Sequence, residues 1–233
     1  MKGILYGIGV GPGDPSLLTL KAKQVLEEAD RIFIPVTKIG EESKAFEIVK
    51  QVVEIAQEKV VEVVFAMKRN REEQEEGWEK ATKQILSYLE QGERAVLITI
   101  GDVSIYSTAF YVCDRVKKAG YEVTMVPGVP SFCAGASLAG ISLVEGRESL
   151  MVIPSLKGME QIEQVLPFFE NLVIMKSARF IGQIEEMIAK QTNIKAYVLS
   201  NIGMENEYIG ELDSKREYGY LTTVILKKKD QLL

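Results

Sequence analysis

Apolar residues recur along the chain in two patterns that alternate from one end to the other. Short, continuously apolar runs such as Ala95 to Ile100 are typical of strands covered on both faces of a parallel sheet. Segments between these runs place apolar residues at helical spacing, as in Ser16 to Asp30 and Asn70 to Glu90. The pattern therefore predicts an α/β fold. The predicted strands are Ile4 to Tyr6, Arg31 to Pro35, Val60 to Phe65, Ala95 to Ile100, Glu122 to Val126, Leu150 to Ile153, Leu172 to Met175, Ala196 to Leu199, Glu207 to Leu212 and Tyr220 to Leu226.

About nine or ten strands are many for one sheet and suit two. We therefore expect two α/β domains, at 1–119 and 120–233, with the boundary near Gly120. The last two strands are predicted to form a β-hairpin, and Gly92 and Gly120 are predicted to end helices. The remaining helices are predicted at Ser43 to Ala56, around Phe110, Cys113 and Val116, and at Ala134 to Ala139, Glu160 to Phe168 and Ile181 to Lys190.

The stretch Gly7 to Pro15 joins the first strand to the first helix and is the clearest candidate for a ligand site. Its four alternating glycines allow positive φ and let a ligand approach without an intervening Cβ. Asp14 suits the N-cap and Pro15 the first helical position. The dinucleotide fingerprint is not met, because Pro12 or Asp14 replaces its third glycine, and the Gly-Lys-Ser/Thr of a P-loop is absent. The loop is either a ligand-binding turn or a purely structural one, and its sequence alone does not identify a ligand.

Two further strand-to-helix junctions have the same character. Gly101 to Thr108 follows the fourth predicted strand, and Pro127 to Phe132 follows the fifth and leads into a helix of small residues. Small residues indicate close packing. Ligands of open α/β sheets bind at the carboxyl ends of strands, so we expect the first two junctions to line one site.

Composition excludes several kinds of chemistry. The 233 residues carry a net charge of −5, which argues against a nucleic-acid binder, and the basic clusters Lys68, Arg69 and Arg71 and Lys227 to Lys229 are interpreted as solvated surface charge. No apolar run approaches the roughly 20 residues of a membrane span, and no export signal is visible. Cys113 and Cys133 are interpreted as core thiols. The complete lack of histidine removes the usual general base and histidine metal sites.

Three segments together resemble the tetrapyrrole methylase family. They are GVGPGDPSLLTLKA at Gly9 to Ala22, GDVSIYST at Gly101 to Thr108 and PGVPSF at Pro127 to Phe132. The resemblance covers the whole chain in the expected order. It implies two α/β domains of the class III methyltransferase fold, with S-adenosylmethionine in the cleft between them.

Finer features are most similar to the branch of the family that methylates carbon 20 of precorrin-2 or cobalt-factor II in cobalamin biosynthesis. These features are GDVSIYSTAFYV and PGVPSFCAGASLAGISLVEGRESLMVIPS. Three alternatives stay open. They are a methylase of another ring position in the cobalamin or sirohaem pathway, a non-catalytic tetrapyrrole-binding protein, and an RNA methyltransferase, which the net charge and the PGDP loop disfavour. The resemblance also implies a homodimer. With no export signal visible we expect a cytoplasmic protein, and the net charge and the short apolar runs predict that it binds neither nucleic acid nor membrane.

The resemblance also assigns residues to the two ligands. Contacts to S-adenosylmethionine are expected from Val10, Gly101, Asp102, Val103, Ile105, Tyr106, Ser131, Phe132, Met175, Thr222 and Thr223. Many relatives carry proline where this chain has Val103, a departure that parts of the family tolerate. The carboxylate arms of the macrocycle are expected at the amides of the first helix N-terminus, which involves Gly9, Gly11, Pro12, Gly13 and Asp14. Lys176 and Arg179 are further candidates for these carboxylates, or ordinary surface charges.

Methyl transfer from a sulfonium to an electron-rich ring carbon is an in-line displacement whose barrier falls chiefly through positioning. We therefore expect no catalytic acid or base among the side chains and no metal ligand. Asp102 is the carboxylate of the Gly101 to Thr108 junction, and we interpret it as a residue that orients the cofactor.

Overall fold

The computed structural model describes residues 2–65, 70–191 and 193–228, and the chain divides into two compact units. The first unit is Met1–Pro130 and the second is Ser131–Leu233. The division therefore falls after Pro130 and not near Gly120. The reason is that the strand Glu122–Val126 pairs with the first strand of the chain and so belongs to the first sheet.

Within the described residues, the first unit contains one five-stranded parallel sheet and four α-helices. In chain order the elements are β1 (Ile4–Gly9), α1 (Leu20–Glu27), β2 (Arg31–Val36), α2 (Lys44–Val49), β3 (Val60–Val64), α3 (Arg71–Leu89), β4 (Arg94–Thr99), α4 (Thr108–Lys118) and β5 (Glu122–Val126).

The strand order β3-β2-β4-β1-β5 places a topological switch between β1 and β4. The chain leaves β1 towards β2 on one side and leaves β4 towards β5 on the other. Since such crossovers are right-handed, α1 and α4 lie on opposite faces of the sheet. The two loops that follow β1 and β4 therefore diverge at the carboxyl edge, which is where open α/β sheets bind ligands.

The first sheet is buried on both faces. On one face, α3 and α4 cover the sheet with Trp78, Ile85 and Val112, which join a single apolar cluster. The ring of Trp78 on α3 stacks on that of Tyr111 on α4 at a centroid distance of 4.4 Å, so the two helices pack against each other at these rings. On the other face, α1 and α2 bury one apolar side each. Both faces are thus covered, as the continuously apolar β4 predicts.

The second unit contains a mixed five-stranded sheet and three α-helices among its described residues. The elements are α5 (Ser131–Leu138), β6 (Leu150–Ile153), α6 (Glu160–Val165), β7 (Asn171–Met175), α7 (Ile181–Ala189), β8 (Ile194–Ser200), β9 (Tyr208–Gly210) and β10 (Thr222–Lys228). The sheet order is β6-β7-β10-β8-β9, and every pair except β6 with β7 is antiparallel.

The predicted terminal hairpin is wrong, although the antiparallel ending is confirmed. The short strand β9 pairs with β8, and β10 lies between β7 and β8. The apolar run Val224 to Leu226 is buried, so β10 gains more from a central position with neighbours on both sides than from an edge. The three residues of β9 are half-buried and occupy the edge.

Small residues in α5 allow the close packing that the sequence predicts. A Cβ at Gly135 would lie 2.6 Å from the Cδ1 of Leu199 on β8, so a larger residue would require the Leu199 side chain to move. Ile162 of α6 and Ile184 of α7 are fully buried, and both belong to an apolar cluster that includes residues of the second sheet.

Three helices are shorter than predicted. The first begins as a single 3-10 turn at Pro15–Leu17, and α1 starts only at Leu20, where Thr19 accepts a hydrogen bond from the Ala22 amide at 3.1 Å. Helices α2 and α6 end at Val49 and Val165. The predicted helix ends at Gly92 and Gly120 are confirmed, since both glycines adopt positive φ within three residues of the end of a helix.

The basic clusters differ where they are described: Arg71 is exposed, as predicted for a surface charge, whereas the prediction is wrong for Lys227, whose ammonium is buried. Arg71 pairs with Glu75 at 2.9 Å and lies over the ring of Trp78, and Lys227 lies 3.5 Å from Glu148. Lys68, Arg69 and Lys229 lie outside the described residues. Cys113 is fully buried, and burial raises the pKa of its thiol to about 12, whereas Cys133 is only half-buried.

None of the described helices combines the length and the apolar character needed to span a membrane. Over the same residues, no group of three or more acidic, cysteine or histidine side chains is arranged to hold a metal ion.

Candidate active site

Three loops meet at the carboxyl edge of the first sheet, after β1, β4 and β5. The Val10 amide donates to the Thr99 carbonyl at 2.9 Å. Gly11 and Gly101 then exchange two backbone hydrogen bonds, at 3.2 Å and 2.7 Å, as an isolated antiparallel bridge. The loops after β1 and β4 are therefore joined to each other directly beyond the switch point.

Two glycines are required because backbone fills the place of a side chain. A Cβ at Gly9 would lie 2.5 Å from the Gly101 carbonyl oxygen and 2.8 Å from the Gly128 amide nitrogen. A Cβ at Gly128 would lie 2.7 Å from the carbonyl carbon of Gly9 and closer still to the Gly101 oxygen. The three loops thus cross in direct backbone contact, which no other residue type permits.

Gly101 is a glycine for a different reason. Its φ is +72°, a conformation that favours glycine, yet no heavy atom of the described residues lies within 4 Å of the position that a Cβ would take. The backbone of Gly101 therefore faces open space at the switch point. Of the four glycines between Gly7 and Gly13, only Gly11 adopts positive φ, at +82°.

Asp102 joins the loop after β4 to the loop after β5. Its Oδ2 accepts a hydrogen bond from the Gly128 amide at 2.8 Å. Its Oδ1 accepts from the Ser104 amide at 2.8 Å and also from the Ser104 hydroxyl. The side chain is only 8% exposed, so both carboxylate oxygens are committed to holding the loops in place.

These contacts also set the protonation state of Asp102. Burial alone raises its pKa, but the hydrogen bonds from the Ser104 hydroxyl and from the Gly128 and Ser104 amides together outweigh burial, so the pKa of Asp102 lies below its ordinary value. The carboxylate is therefore ionised at neutral pH and is a poor proton acceptor. The geometry supports a positioning role, as the sequence interpretation expects.

The rest of the loop after β4 is held at its end by Ser107. The Ser107 hydroxyl donates to the Thr99 hydroxyl at 3.0 Å, and it accepts from the Ala109 amide at 3.2 Å as the N-cap of α4. Val103 is buried, whereas Tyr106 is 54% exposed with a φ of +47°. A non-glycine residue in this region is strained, and such strain is common at ligand-binding loops.

The expected anion site in the first glycine loop is not supported. The Val10 and Gly11 amides donate to Thr99 and Gly101, so they are not open to a carboxylate. The helix that follows is a single 3-10 turn, too short for a substantial dipole. Asp14 caps this turn as predicted, accepting from the Ser16 amide at 2.8 Å. Gly9, Pro12 and Gly13 are buried.

The remaining predicted residues lie in the second unit. Met175 ends β7 and lies opposite Thr223 of β10. Ser131 and Phe132 begin α5, with Phe132 buried and Ser131 half-buried. Ile105, in the first unit, is half-buried in the loop after β4. The structure thus brings Val10, Gly101, Asp102 and Val103 together in the first unit and Met175 and Thr223 together in the second.

Thr222 has a structural role that the sequence does not reveal. Its hydroxyl lies 2.9 Å from that of Ser200 and donates to the Gly219 carbonyl at 2.7 Å, and its side chain is fully buried. Its carbonyl accepts from the Ser177 amide at 3.0 Å. Thr222 therefore fixes the ends of β7 and β8 against the start of β10.

Sequence reasoning missed two residues of the first site. Gly128 and Ser104 are the partners of Asp102, and neither is assigned a role from the sequence. Gly128 does stand within the quoted PGVPSF segment, but its role depends on the crossing of loops near positions 9, 101 and 128. Ser104 follows Asp102 at the spacing of an Asx turn, which is a readable signal.

Two known proteins that are similar to this chain over nearly its full length have the same activity in their names. A cobalt-precorrin-2 C(20)-methyltransferase of Methanocaldococcus jannaschii, named as probable, is 37% identical over 232 residues, which cover 96% of each chain. The cobalt-precorrin-2 C(20)-methyltransferase of Salmonella typhimurium is 29% identical over 234 residues, which cover 98% of each chain.

Solved structures of other proteins have the same fold as this chain. A uroporphyrin-III C-methyl transferase from Thermus thermophilus, complexed with S-adenyl homocysteine, superposes with a TM-score of 0.65 over 97% of both chains at 21% identity. The sequence profile described as Tetrapyrrole (Corrin/Porphyrin) Methylases matches residues 4–214. The chain therefore belongs to the tetrapyrrole methylase family.

Proposed function

We propose that this protein is an S-adenosylmethionine-dependent methyltransferase that methylates carbon 20 of precorrin-2, or of its cobalt-containing form, in cobalamin biosynthesis. The observation that carries the proposal is the full-length similarity to proteins named for this reaction on cobalt-precorrin-2. The finer motif resemblance, carried by segments of both units, points to the same carbon.

The residues of the first site fit the cofactor. S-adenosylmethionine would supply a methyl group on a sulfonium, and its adenine and amino-acid ends require backbone donors and acceptors more than charge. The loop of Gly101 to Tyr106 begins with a glycine whose Cβ side is open, and Asp102 holds this loop rigidly. The structural relative that carries S-adenyl homocysteine has the same fold. We assign the cofactor to the loop of Gly101 to Tyr106, with Asp102 as the residue that positions this loop.

The chain's residues account for catalysis by positioning. Histidine is absent, and the lowered pKa of Asp102 makes it a weak base at neutral pH. The conjugated nitrogens of a reduced tetrapyrrole make its meso carbon nucleophilic without a protein base. The protein then has to hold the two reactants in line. Such positioning lowers the activation free energy of well-oriented reactions by about 7–11 kcal/mol.

A substitution at Gly101 tests the cofactor assignment. In Gly101→Ala the new methyl group would stand in the open space beside the loop, and we expect affinity for S-adenosylhomocysteine to fall at least tenfold, about 1.4 kcal/mol. Titration calorimetry measures this directly. The strain of alanine at positive φ adds a loss of folding stability of about 1 kcal/mol.

Gly120→Ala is the matched control. Gly120 also has positive φ, at +85°, and lies at the opposite, amino edge of the same sheet, before β5. It should show the same loss of stability with unchanged affinity for S-adenosylhomocysteine. Equal affinity in the two variants would place the cofactor elsewhere.

The proposed activity is tested by incubating the protein with methyl-labelled S-adenosylmethionine and each of three macrocycles: metal-free precorrin-2, its cobalt-bound form and uroporphyrinogen III. Label in one of the first two macrocycles supports the proposal. Label in uroporphyrinogen III alone would assign the protein to the sirohaem branch. Macrocycle binding without transfer would make it a carrier.

The proposal places the protein in the cytoplasm and includes a homodimer, which rests on the family resemblance. Sedimentation at micromolar concentration should show a dimer, and a monomer alone would contradict this part of the proposal.

A further inference from the structure

Lys176 occupies an unusual place directly after β7 in the second unit. Its φ is +53°, in the left-handed region that non-glycine residues rarely adopt. Its two neighbours are both anchored, because Met175 pairs with Thr223 and the Ser177 amide donates to the Thr222 carbonyl at 3.0 Å. The conformation of Lys176 is thus imposed by the strand ends on either side.

The side chain of Lys176 is exposed and lies beside an exposed aromatic ring. Its Nζ is 5.5 Å from the centroid of the Tyr220 ring, and Tyr220 is 53% exposed. Among the described residues, no carboxylate pairs with this ammonium. Arg179 is the other candidate. It donates to the Leu156 carbonyl at 2.9 Å and lies over the ring of Phe180, so its guanidinium already contacts other residues of the chain.

A lysine at this position is disfavoured by its own backbone. Glycine would adopt the same φ without strain, and an exposed side chain adds nothing to the core. Asn201 has a similar φ of +51° at the end of β8, but asparagine tolerates this region far better than lysine does. A strained, exposed and unpaired cation at a strand end indicates a function for its charge.

We propose that the Lys176 ammonium binds a carboxylate arm of the tetrapyrrole substrate. This inference rests on the proposed function, in which the macrocycle carries several acetate and propionate groups. Lys176 follows Met175, which the family resemblance places at the cofactor, so its charge is presented at the end of the same strand. The ring of Tyr220 restricts the ammonium and lowers the entropy lost when the ion pair forms.

Three substitutions at Lys176 test the inference. In Lys176→Met, KM for the macrocycle should rise about tenfold, the loss expected for one charge-assisted hydrogen bond, with kcat unchanged within twofold. Lys176→Arg should restore most of the affinity. In Lys176→Gly, KM should rise as in the methionine variant while the midpoint of thermal unfolding stays level or increases, because the backbone strain is relieved.

Lys195→Met is the matched control. Lys195 is an exposed lysine near the start of β8, at the opposite edge of the same sheet, and its loss changes net charge equally. It should leave KM unchanged. Equal KM in wild type, Lys176→Met and Lys176→Gly would overturn the inference, and so would an equal rise in Lys195→Met, which would reveal a non-specific charge effect.

Binding of uroporphyrin III, a stable macrocycle with eight carboxylates, separates this inference from the proposed function. Wild-type protein that binds this probe but transfers no methyl group would overturn the proposed function. The lysine assignment would then be decided by the dissociation constants alone, with about tenfold weaker binding expected in Lys176→Met. Failure of the wild type to bind any tetrapyrrole would overturn both.

Discussion

Gly128→Ala is expected to destabilise the protein more than any other single substitution at the site. The new Cβ would lie 2.7 Å from the Gly9 carbonyl carbon and nearer still to the Gly101 oxygen. Both are backbone atoms of strand ends, so neither can rotate away as a side chain would. We expect a loss of about 3 kcal/mol or more in the free energy of unfolding, at the upper end of overpacking costs.

The same substitution should abolish cofactor binding, because relief of the clash forces the loops after β1, β4 and β5 apart. Chemical denaturation measures the stability and calorimetry with S-adenosylhomocysteine measures the binding. The control is Gly77→Ala in α3, where the one close contact of a Cβ among the described residues would be the Val64 carbonyl oxygen, at 3.7 Å. That variant should gain about 0.5–1 kcal/mol from helix propensity. A Gly128→Ala protein of wild-type stability would contradict the crossing of the three loops.

Asp102→Asn is expected to have the second-largest effect. Each oxygen of the carboxylate accepts from an amide N–H, of Gly128 or of Ser104, so an asparagine NH₂ group must face one of these donors whichever way it is turned. A buried donor then lacks its acceptor, which costs about 2 kcal/mol of folding stability. Because the loop of Gly101 loses its link to Gly128, affinity for S-adenosylhomocysteine should fall about tenfold or more, which is 1.4 kcal/mol.

The kinetic signature of Asp102→Asn separates positioning from proton transfer. At saturating cofactor, the single-turnover rate should stay within roughly tenfold of wild type, whereas loss of a general base typically costs ~10²–10⁴-fold. The control is Asp114→Asn on α4, whose carboxylate is exposed and pairs with Lys118 at 2.7 Å. Its effect on stability should stay below about 0.5 kcal/mol. A hundredfold loss of rate in Asp102→Asn would make Asp102 catalytic.

The lowered pKa of Asp102 also fixes the direction of its pH dependence. A carboxylate with a folded pKa below its unfolded value, about 3.9 for aspartate, contributes stability that is fully present above the unfolded pKa. That contribution is lost as the pH falls through the folded pKa. The stability difference between wild type and Asp102→Asn should therefore be constant from about pH 5 to pH 8 and shrink in acid.

The strand positions can be predicted from the sequence because each central strand is a continuous apolar run bounded by glycine or charge. The pairing of the last strands cannot. Proximity along the chain favours a hairpin between β9 and β10, but burial of Val224 to Leu226 requires neighbours on both sides. The boundary after Pro130 cannot be predicted from the sequence either. The pairing of β5 with β1 places β5 in the first sheet, and the sequence does not show this pairing.

The candidate site is predictable in its location but not in its internal contacts. Glycine at 9, 11 and 101 marks the ends of apolar strands, and strand ends at a switch point are ligand sites. The requirement for Gly128 depends on three backbone segments that are far apart in sequence. The commitment of the Val10 and Gly11 amides depends on the bridge to Gly101, so the sequence alone overstates their freedom to bind an anion. The strain at Lys176 is visible only in the backbone.

The position of the transferred methyl group tests the central claim most directly. The protein is incubated with S-adenosylmethionine labelled with ¹³C at its methyl group and with precorrin-2, in parallel reactions with and without cobalt in the macrocycle, and the product is assigned by NMR. We predict label at carbon 20 in at least one of the two reactions, and the faster of the two identifies the substrate. Label at any other carbon of the macrocycle would contradict the proposed function.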